Sequence, residues 1–400
     1  MEKTRQVRLN NLNRKIFTAL REGQMEAAKV WNYCVEQQQK CFKEKREWPT
    51  RTDLQKETKG QFSLHSQTTQ MVCRLFTGCI EQTIKNKKTD KNRKYPHKEK
   101  KFFSLLWPAQ AMCIEGSKVI LPMGRGRASI VLDRPEWLME KCPSKILWNE
   151  SGYEWHITTS ESDCQMKAEG INATVDLGQI HLGAVVVENG EGLIVSGRGI
   201  RSEKRHLNKI HGKLQKKIAR CKKSSKRFKR LVWAKKKAAT YVKRKIRDMR
   251  HKATRQIVNF CEVNNVSTLF VGNPSGVQKR RCGKKHNQRM SQWEFGKDIQ
   301  YIFDKAKSYG IESFKGSERG TSSTCPQCQF RKKVTGRNWK CSSCDFVGHR
   351  DLVGAVNMHK LAFDKSVNLP SRITYLRPGQ KWLGSSRCLD TSQSEMTVAV

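Results

Sequence analysis

The sequence predicts a multidomain α+β protein, and three observations support this prediction. The chain has 400 residues, more than one simple core usually organises, so about two or three domains are expected. Its hydrophobic pattern is helical from about residue 11 to 90 and then changes to short β-like runs up to about residue 159. From residue 171 onwards, strands and helices alternate around a cysteine-rich module.

The N-terminal segment, residues 1–165, combines the helical and the β-like stretches. Apolar residues such as Ile16 and Leu20 recur at helical spacing, and Pro49 marks a break between two helices. The later runs SKVILPM, RASIVLD and YEWHITT are bounded by Gly, Pro and Asp residues, which is typical of short strands. We therefore expect a small antiparallel sheet or β-barrel that carries the helical region as an insertion at about residues 11–90.

The pattern from Ile171 onwards is that of an α/β domain. INATVDLG reads as a buried strand, and HLGAVVVENGEGLIVSG reads as two strands joined by an Asn-Gly turn. A basic helical region, residues 201–260, precedes the strand STLFVGN, a helix, the short strand IESF, the cysteine module and a last helix from about Arg350. This order is expected of an RNase H-type domain, over residues 170–320 and 345–362.

The cysteine module, residues 321–344, has the spacing of a metal site. Two Cys-x-x-Cys pairs, Cys325 with Cys328 and Cys341 with Cys344, lie about a dozen residues apart. Four thiolates directed at one point offer a tetrahedral sulfur site that suits zinc. Because all four positions are filled by protein, we expect this zinc ribbon to be structural. The interpretation as four unligated cysteines is far less favoured by this spacing.

The charge balance predicts a polyanionic partner. Lys and Arg number 79 against 36 Asp and Glu, a formal net charge of +43. Nucleic acid is the expected polyanion, since phosphate neutralisation releases counterions. A basic membrane-surface protein is the alternative, but we find no membrane-spanning apolar run and no lipidation motif. The N-terminus lacks an apolar signal region, so we expect a cytoplasmic, nucleic-acid-associated protein. The C-terminal tail, residues 363–400, is polar, and we expect its last dozen residues to be disordered.

Two aspartates are placed where a divalent cation could be held. Asp176 interrupts the otherwise apolar strand INATVDLG, where a lone carboxylate is costly without a counter-charge. A strand-end cap is its structural alternative. Asp351 begins the helix that follows the cysteine module, where an acid also complements the helix dipole. Carboxylates that converge from separate elements are the ligands that two-metal nucleases need.

Four motifs together resemble the TnpB family. INATVDLGQIHL, TSSTCPQC, the second cysteine pair and GHRDLVGAVN occur in the family's order from about Ile171 to Lys360. TnpB proteins are transposon-encoded relatives of type V CRISPR effectors. The resemblance implies a RuvC nuclease of RNase H-like fold with an inserted zinc ribbon, preceded by a β-barrel (wedge-like) domain with a helical recognition insertion. It implies Mg²⁺ (or Mn²⁺) at Asp176 and Asp351, a guide RNA from the transposon end, and double-stranded target DNA.

The resemblance departs from the family pattern at the middle acid. The family usually has a glutamate at the end of the strand that corresponds to STLFVGN, at or near Gly272, and no carboxylate stands there. Glu318, at the end of the next strand, is our preferred third catalytic and magnesium-binding residue. Glu294, at a helix start, is the alternative, although a first-turn acid has a structural explanation.

The basic helical region predicts a nucleic-acid surface. Residues 201–255 contain 24 Lys and Arg against two acids, more than solubility requires, although most charge runs are solvated faces. We expect a cationic wall along a guide–target duplex. The residues chosen to test it are Lys216, Lys217, Lys222, Lys223, Arg227 and Arg230.

The hypothesis from the sequence is therefore an RNA-guided, metal-dependent DNA endonuclease of the TnpB type. The first alternative is a catalytically inactive RNA-guided DNA-binding protein, a repressor or targeting factor, because the strand-end glutamate is absent. The second alternative is a zinc-ribbon nucleic-acid-binding protein without a guide.

Overall fold

A computed structural model of the chain describes residues 2–161, 164–274, 283–334 and 336–380. The chain divides into two compact units, Met1–Ser162 and Asp163–Val400. Within the described ranges, each helix is too short or too polar to cross a membrane. The predicted disorder of the last dozen residues lies outside the described residues.

The first unit combines helices with two antiparallel sheets in its described residues. The helices are α1 (Arg14–Lys43), α2 (Arg51–Glu57) and α3 (Ser66–Lys87). The strands are β1 (Glu2–Leu9), β2 (Leu105–Trp107), β3 (Cys113–Glu115), β4 (Lys118–Leu121), β5 (Ile130–Asp133), β6 (Ser144–Trp148) and β7 (Tyr153–Ser160). One sheet has the order β1-β7-β6-β2 and the other the order β3-β4-β5.

Local capping explains where the first helices begin. The Asn13 side chain accepts a hydrogen bond from the backbone N–H of Ile16 at 2.8 Å and starts α1. Thr50 and Asp53 form a capping box that starts α2, which accounts for the break that Pro49 predicted. The three strand-like runs of the sequence form β4, β5 and β7.

The second unit contains the six-stranded sheet that positions the candidate site. The strands of this unit that belong to the six-stranded sheet are β8 (Ile171–Leu177), β9 (His181–Val187), β10 (Glu191–Ser196), β11 (Val266–Asn273), β12 (Glu312–Ser317) and β15 (Arg372–Leu376). A separate two-stranded sheet consists of β13 (Asn338–Lys340) and β14 (Val347–His349). The helices of this unit are α4 (Arg198–Ala219), α5 (Lys226–Val263), α6 (Lys284–Ser291), α7 (Phe295–Lys307) and α8 (Arg350–Phe363).

The six strands have the order β12-β11-β8-β9-β10-β15. β8, β9 and β10 are antiparallel neighbours, whereas β11 runs parallel to β8 and β12 runs parallel to β11. Alternate side chains point to opposite faces of a sheet. On one face, residues such as Val175 pack with Ile257 of α5 and Ile302 of α7. On the other face, Ala184 packs with Leu352 of α8.

The C-terminal tail adds a strand that the sequence did not predict. β15 runs parallel to β10, with Glu191 opposite Arg372 and Val195 opposite Leu376. This part of the tail is therefore an edge strand of the sheet. Its partner lies far away along the chain, so no local pattern could indicate the pairing.

Candidate active site and zinc module

Asp176 lies near the carboxyl end of β8, on the face that α8 covers. Thr174, two residues earlier and hence on the same face, donates its hydroxyl to the carbonyl of Ala355 in α8 at 2.9 Å. The carboxylate is next to α8 because Gly354 has no side chain there. A Cβ built on Gly354 would lie only 2.6 Å from Oδ2 of Asp176. The close packing of β8 and α8 thus depends on this glycine.

Asp351 lies in the first turn of α8 and has two close partners. Nδ1 of His181, at the start of β9, lies 2.7 Å from its Oδ2. Nη1 of Arg337 donates to both of its carboxylate oxygens at 2.6 Å. Asp351 is therefore held by a strand of the sheet on one side and by a residue between the two cysteine pairs on the other.

Glu318 directly follows β12, and its carboxylate reaches the position where β11 lacks an acid. Gly272 in β11 is opposite Gly316 in β12. A Cβ built on Gly272 would lie 2.9 Å from Oε2 of Glu318. This Oε2 is buried and makes no hydrogen bond within the described part of the chain. The carboxylate of Glu318 thus lies directly beside Gly272.

The electrostatics of the three carboxyl groups favour a cation. Burial, together with the charges of Glu318 and Asp351, raises the pKa of Asp176 well above its usual value. Burial also raises the pKa of Glu318 to about 7. For Asp351, burial opposes ionisation, but the hydrogen bond from His181 and the charge of Arg337 outweigh it and lower the pKa. A hard divalent cation fits these oxygens, since it would satisfy the buried Oε2 of Glu318 and offset the repulsion.

The structure also brings together residues that sequence reasoning missed. Within the described ranges, donor atoms of His181, His349 and Asp351 all lie within 4.8 Å of one another. Asp176 and Glu318 do not belong to that compact group. His181 and His349 stand inside the motifs INATVDLGQIHL and GHRDLVGAVN, so the motifs contained this signal. Arg337 carried no comparable signal, because it lies between the two cysteine pairs and outside the four motifs.

Glu294, the alternative third acid, lies at the start of α7 in a different environment. Its carboxylate is paired with Lys297, and Lys204 and Arg250 lie at 3.6 and 3.8 Å. Burial disfavours its charge, but the hydrogen bond from Lys297 and the neighbouring cations lower its pKa. These contacts give Glu294 a structural explanation. The charge of Glu294 is also not among those that shift the pKa of Asp176 most strongly.

The four cysteines form a cluster that could hold zinc. The Sγ atoms of Cys325 and Cys344 are 3.7 Å apart, and those of Cys328 and Cys341 are 3.5 Å apart. Four sulfurs bonded to one zinc at about 2.3 Å lie about 3.8 Å from each other, so these separations suit a tetrahedral site. They are far longer than the roughly 2.05 Å of a disulfide.

The cysteine module is fixed to the start of α8. Nδ2 of Asn357 donates to the carbonyls of Thr321 and Thr324, both at 2.7 Å. Trp339 of β13 is fully buried in a cluster with Val353 of α8. Because Asp351 belongs to the same helix, the module supports the element that carries this carboxylate.

The basic region forms the helical hairpin α4–α5. No side chain of α5 before Val242 is buried, so residues 226–241 contribute little to the core. The six basic residues that the sequence selected are all exposed: Lys216, Lys217, Lys222, Lys223, Arg227 and Arg230. The hairpin therefore presents a dense positive surface, and few of its side chains in this part are needed for the core.

Two family models match the chain. One is described as a probable transposase, of the OrfB type of IS605, and matches residues 156–278. The other is described as Cas12f1-like, TNB domain, and matches residues 295–358. The two matched segments cover strands β8 to β12 of the six-stranded sheet, the cysteine module and the first part of α8.

Solved structures share the fold of this chain. The cryo-EM structure of a Cas12f1–sgRNA–target DNA complex aligns with a TM-score of 0.60 and 14% identity, over 86% of this chain and 82% of that one. The structure of the mini-RNA-guided endonuclease CRISPR-Cas phi3 aligns with a TM-score of 0.53 and 10% identity, over 92% and 94%. The chain thus has a mixed α/β multidomain fold similar to the folds of these two structures.

Curated relatives match parts of the chain. A TnpB-like protein of Methanocaldococcus jannaschii is 29% identical over 163 residues, 40% of this chain and 58% of the relative. The CRISPR-associated endodeoxyribonuclease Cas12f1 of an uncultured archaeon is 27% identical over 112 residues, 26% of this chain and 21% of the relative. The matches thus span less than two thirds of these relatives. Parts of the chain are thus similar to TnpB-like proteins and to Cas12f1, in keeping with the resemblance of its motifs.

Proposed function

We propose that the protein is an RNA-guided, metal-dependent DNA endonuclease of the TnpB type. The observation that carries this proposal is the position of Asp176, whose carboxylate lies beside Gly354 in the same helix as Asp351. Burial raises the pKa of this carboxyl group, and the charges of Glu318 and Asp351 both act on it and raise its pKa further. The strand order of the sheet, with β8 between β9 and β11, supports an RNase H-like (RuvC) core. Burial and the charges of two other carboxylates raise the pKa of Asp176, and perturbed pKa values of this kind cluster at functional sites.

Each carboxylate would have a distinct task in such an enzyme. Asp176 and Asp351 would hold Mg²⁺ or Mn²⁺, and Glu318 would replace the acid that is absent at Gly272. The bound ions would neutralise charge on the phosphodiester and activate water for in-line attack. The chain's own contribution is to fix the carboxylates on rigid elements and to limit water around Asp176.

The basic hairpin α4–α5 would hold the nucleic acids. Its exposed cations suit the backbone of a duplex between target DNA and a guide RNA from the transposon end, while base pairing would read the sequence. The four-cysteine module would bind zinc as a structural ion and keep α8 in place.

The alternative function is a catalytically inactive RNA-guided DNA-binding protein. One observation favours it, namely that β11 ends without a carboxylate. The position of Glu318 beside Gly272 supports the enzyme instead, because its carboxylate occupies the region that a strand-end glutamate would reach.

A cleavage assay on two matched variants tests the proposal. Glu318→Gln and Glu294→Gln, each purified with the transposon-end transcript, are incubated with a plasmid library of randomised target-adjacent motifs and Mg²⁺. Glu318→Gln should cut at least about 100-fold more slowly than wild type, since even residues that only support metal ligands contribute about 10- to 100-fold. Glu294→Gln should cut at nearly the wild-type rate. The reverse pattern would exclude Glu318 as the third acid.

A further inference from the structure

The side chains closest to Asp351 are imidazoles and a guanidinium rather than other acids. His181, His349 and Asp351 form one of the two groups within the described residues whose donor atoms could share a metal ion. The rings of His181 and His349 are 5.1 Å apart between centroids, with an angle of 48° between their planes. Nδ1 of His181 lies 2.7 Å from Oδ2 of Asp351, and the ring of His349 lies beside that of His181.

His349 has an unpaired polar atom in this group. Its Nδ1 is buried and makes no hydrogen bond to the part of the chain that the structure describes. A buried donor or acceptor without a partner destabilises the folded protein, so such an atom calls for an explanation. Imidazole nitrogen is the commonest protein ligand for metal ions, and an ion beside Asp351 would satisfy it.

The elements that carry these donors are well anchored. His181 is 4% exposed and begins β9 in the middle of the sheet. His349 ends β14 and stands at the N-cap position of α8, only two residues before Asp351. A site assembled from such elements holds its ligands in a fixed geometry.

We propose that His349 supplies a nitrogen donor to the cation at Asp351, while His181 stays hydrogen-bonded to the carboxylate, so that this position is a mixed nitrogen–oxygen site selective for Mn²⁺ over Mg²⁺. Nitrogen donors suit first-row transition ions, whereas Mg²⁺ prefers oxygen ligands in octahedral geometry. The inference rests on the proposed function for Asp351 as a metal ligand and adds the class of ion that it binds. Arg337, which is partly exposed, would leave Asp351 when the ion binds.

Pulsed electron paramagnetic resonance on Mn²⁺ tests this site without any cleavage. Full-length protein loaded with Mn²⁺ should show electron spin echo modulation from imidazole nitrogen-14. His349→Ala should lose that coupling and bind Mn²⁺ about 10- to 100-fold more weakly, by the scale of other metal-site residues. His349→Asp should keep binding while its preference for Mn²⁺ over Mg²⁺ falls. His206→Ala, on the exposed face of α4, is the matched control and should behave as wild type.

The outcomes separate this inference from the proposed function. Mn²⁺ bound by the wild-type protein without nitrogen coupling, or no Mn²⁺ binding, would overturn the mixed site, whatever the protein cuts. Nitrogen coupling in a protein that never cuts guided targets would support the site and refute the endonuclease. Because the decisive signal comes from wild-type protein, a poorly folded variant does not obscure it.

Discussion

Replacing Arg337 with glutamine should tighten the binding of a divalent cation at Asp351. The guanidinium donates to both oxygens of Asp351 at 2.6 Å, so a cation must displace it. The side chains of Arg337 and Asp351 are 36% and 17% exposed, so the burial of this ion pair is intermediate between that of a surface pair and that of a buried pair. Exposed ion pairs contribute about 0–1 kcal/mol and charge-assisted hydrogen bonds about 1.5–3 kcal/mol.

We therefore expect the Arg337–Asp351 pair to contribute an intermediate interaction free energy of about 1–2 kcal/mol. Since 1.4 kcal/mol corresponds to a tenfold change in affinity, Arg337→Gln should bind Mn²⁺ about 5- to 30-fold more tightly. Isothermal titration of Mn²⁺ into full-length protein measures this. Arg331→Gln, an exposed charge on the same module, controls for the general loss of one cation. Equal or weaker binding by Arg337→Gln than by Arg331→Gln would refute the competition between Arg337 and the metal.

Three further predictions follow from other parts of the structure. Cys325→Ser or Cys341→Ser should release zinc, as measured by elemental analysis, and should increase hydrogen exchange in α8. Wild-type protein that contains no zinc would contradict the zinc site. The exposed basic set consists of Lys216, Lys217, Lys222, Lys223, Arg227 and Arg230. Reversing these charges should make the slope of log affinity against log salt concentration shallower by about 0.7–0.9 per lost phosphate contact. An unchanged slope would show that this face is only solvated. Arg250→Met should destabilise the second unit by about 3–5 kcal/mol in urea unfolding, because Asp298, 1% exposed and 2.7 Å from Arg250, loses its counter-charge. Unfolding at the wild-type urea concentration would show that this pair contributes nothing.

Local patterns in the sequence predicted the elements that are formed by residues close to one another along the chain. The spacing of the four cysteines predicted that they form one cluster, because tight turns bring such pairs together. The apolar run around Asp176 predicted β8, and the motif after the cysteines predicted that α8 begins near Asp351. Glu318 was chosen because parallel neighbouring strands end at the same edge of a sheet, and its carboxylate does lie beside Gly272.

The features that were missed depend on contacts between distant parts of the chain. His181 and Asp351 are separated by 170 positions, and no periodicity connects them. β15 is defined by its pairing with β10 rather than by its own short sequence. Arg337 contacts Asp351 only because the folded module presents it there, so its role required coordinates.

Guided cleavage by matched proteins tests the central claim most directly. Wild-type protein and Asp176→Ala, each purified with the same guide RNA, are compared on one target DNA for binding by gel shift and for cutting with Mg²⁺ or Mn²⁺. The account predicts that both bind the target with similar affinity, because pairing and backbone contacts carry binding, and that only the wild type cuts. Undiminished cutting by Asp176→Ala, or a wild-type protein that binds its target yet never cuts with either ion, would contradict it.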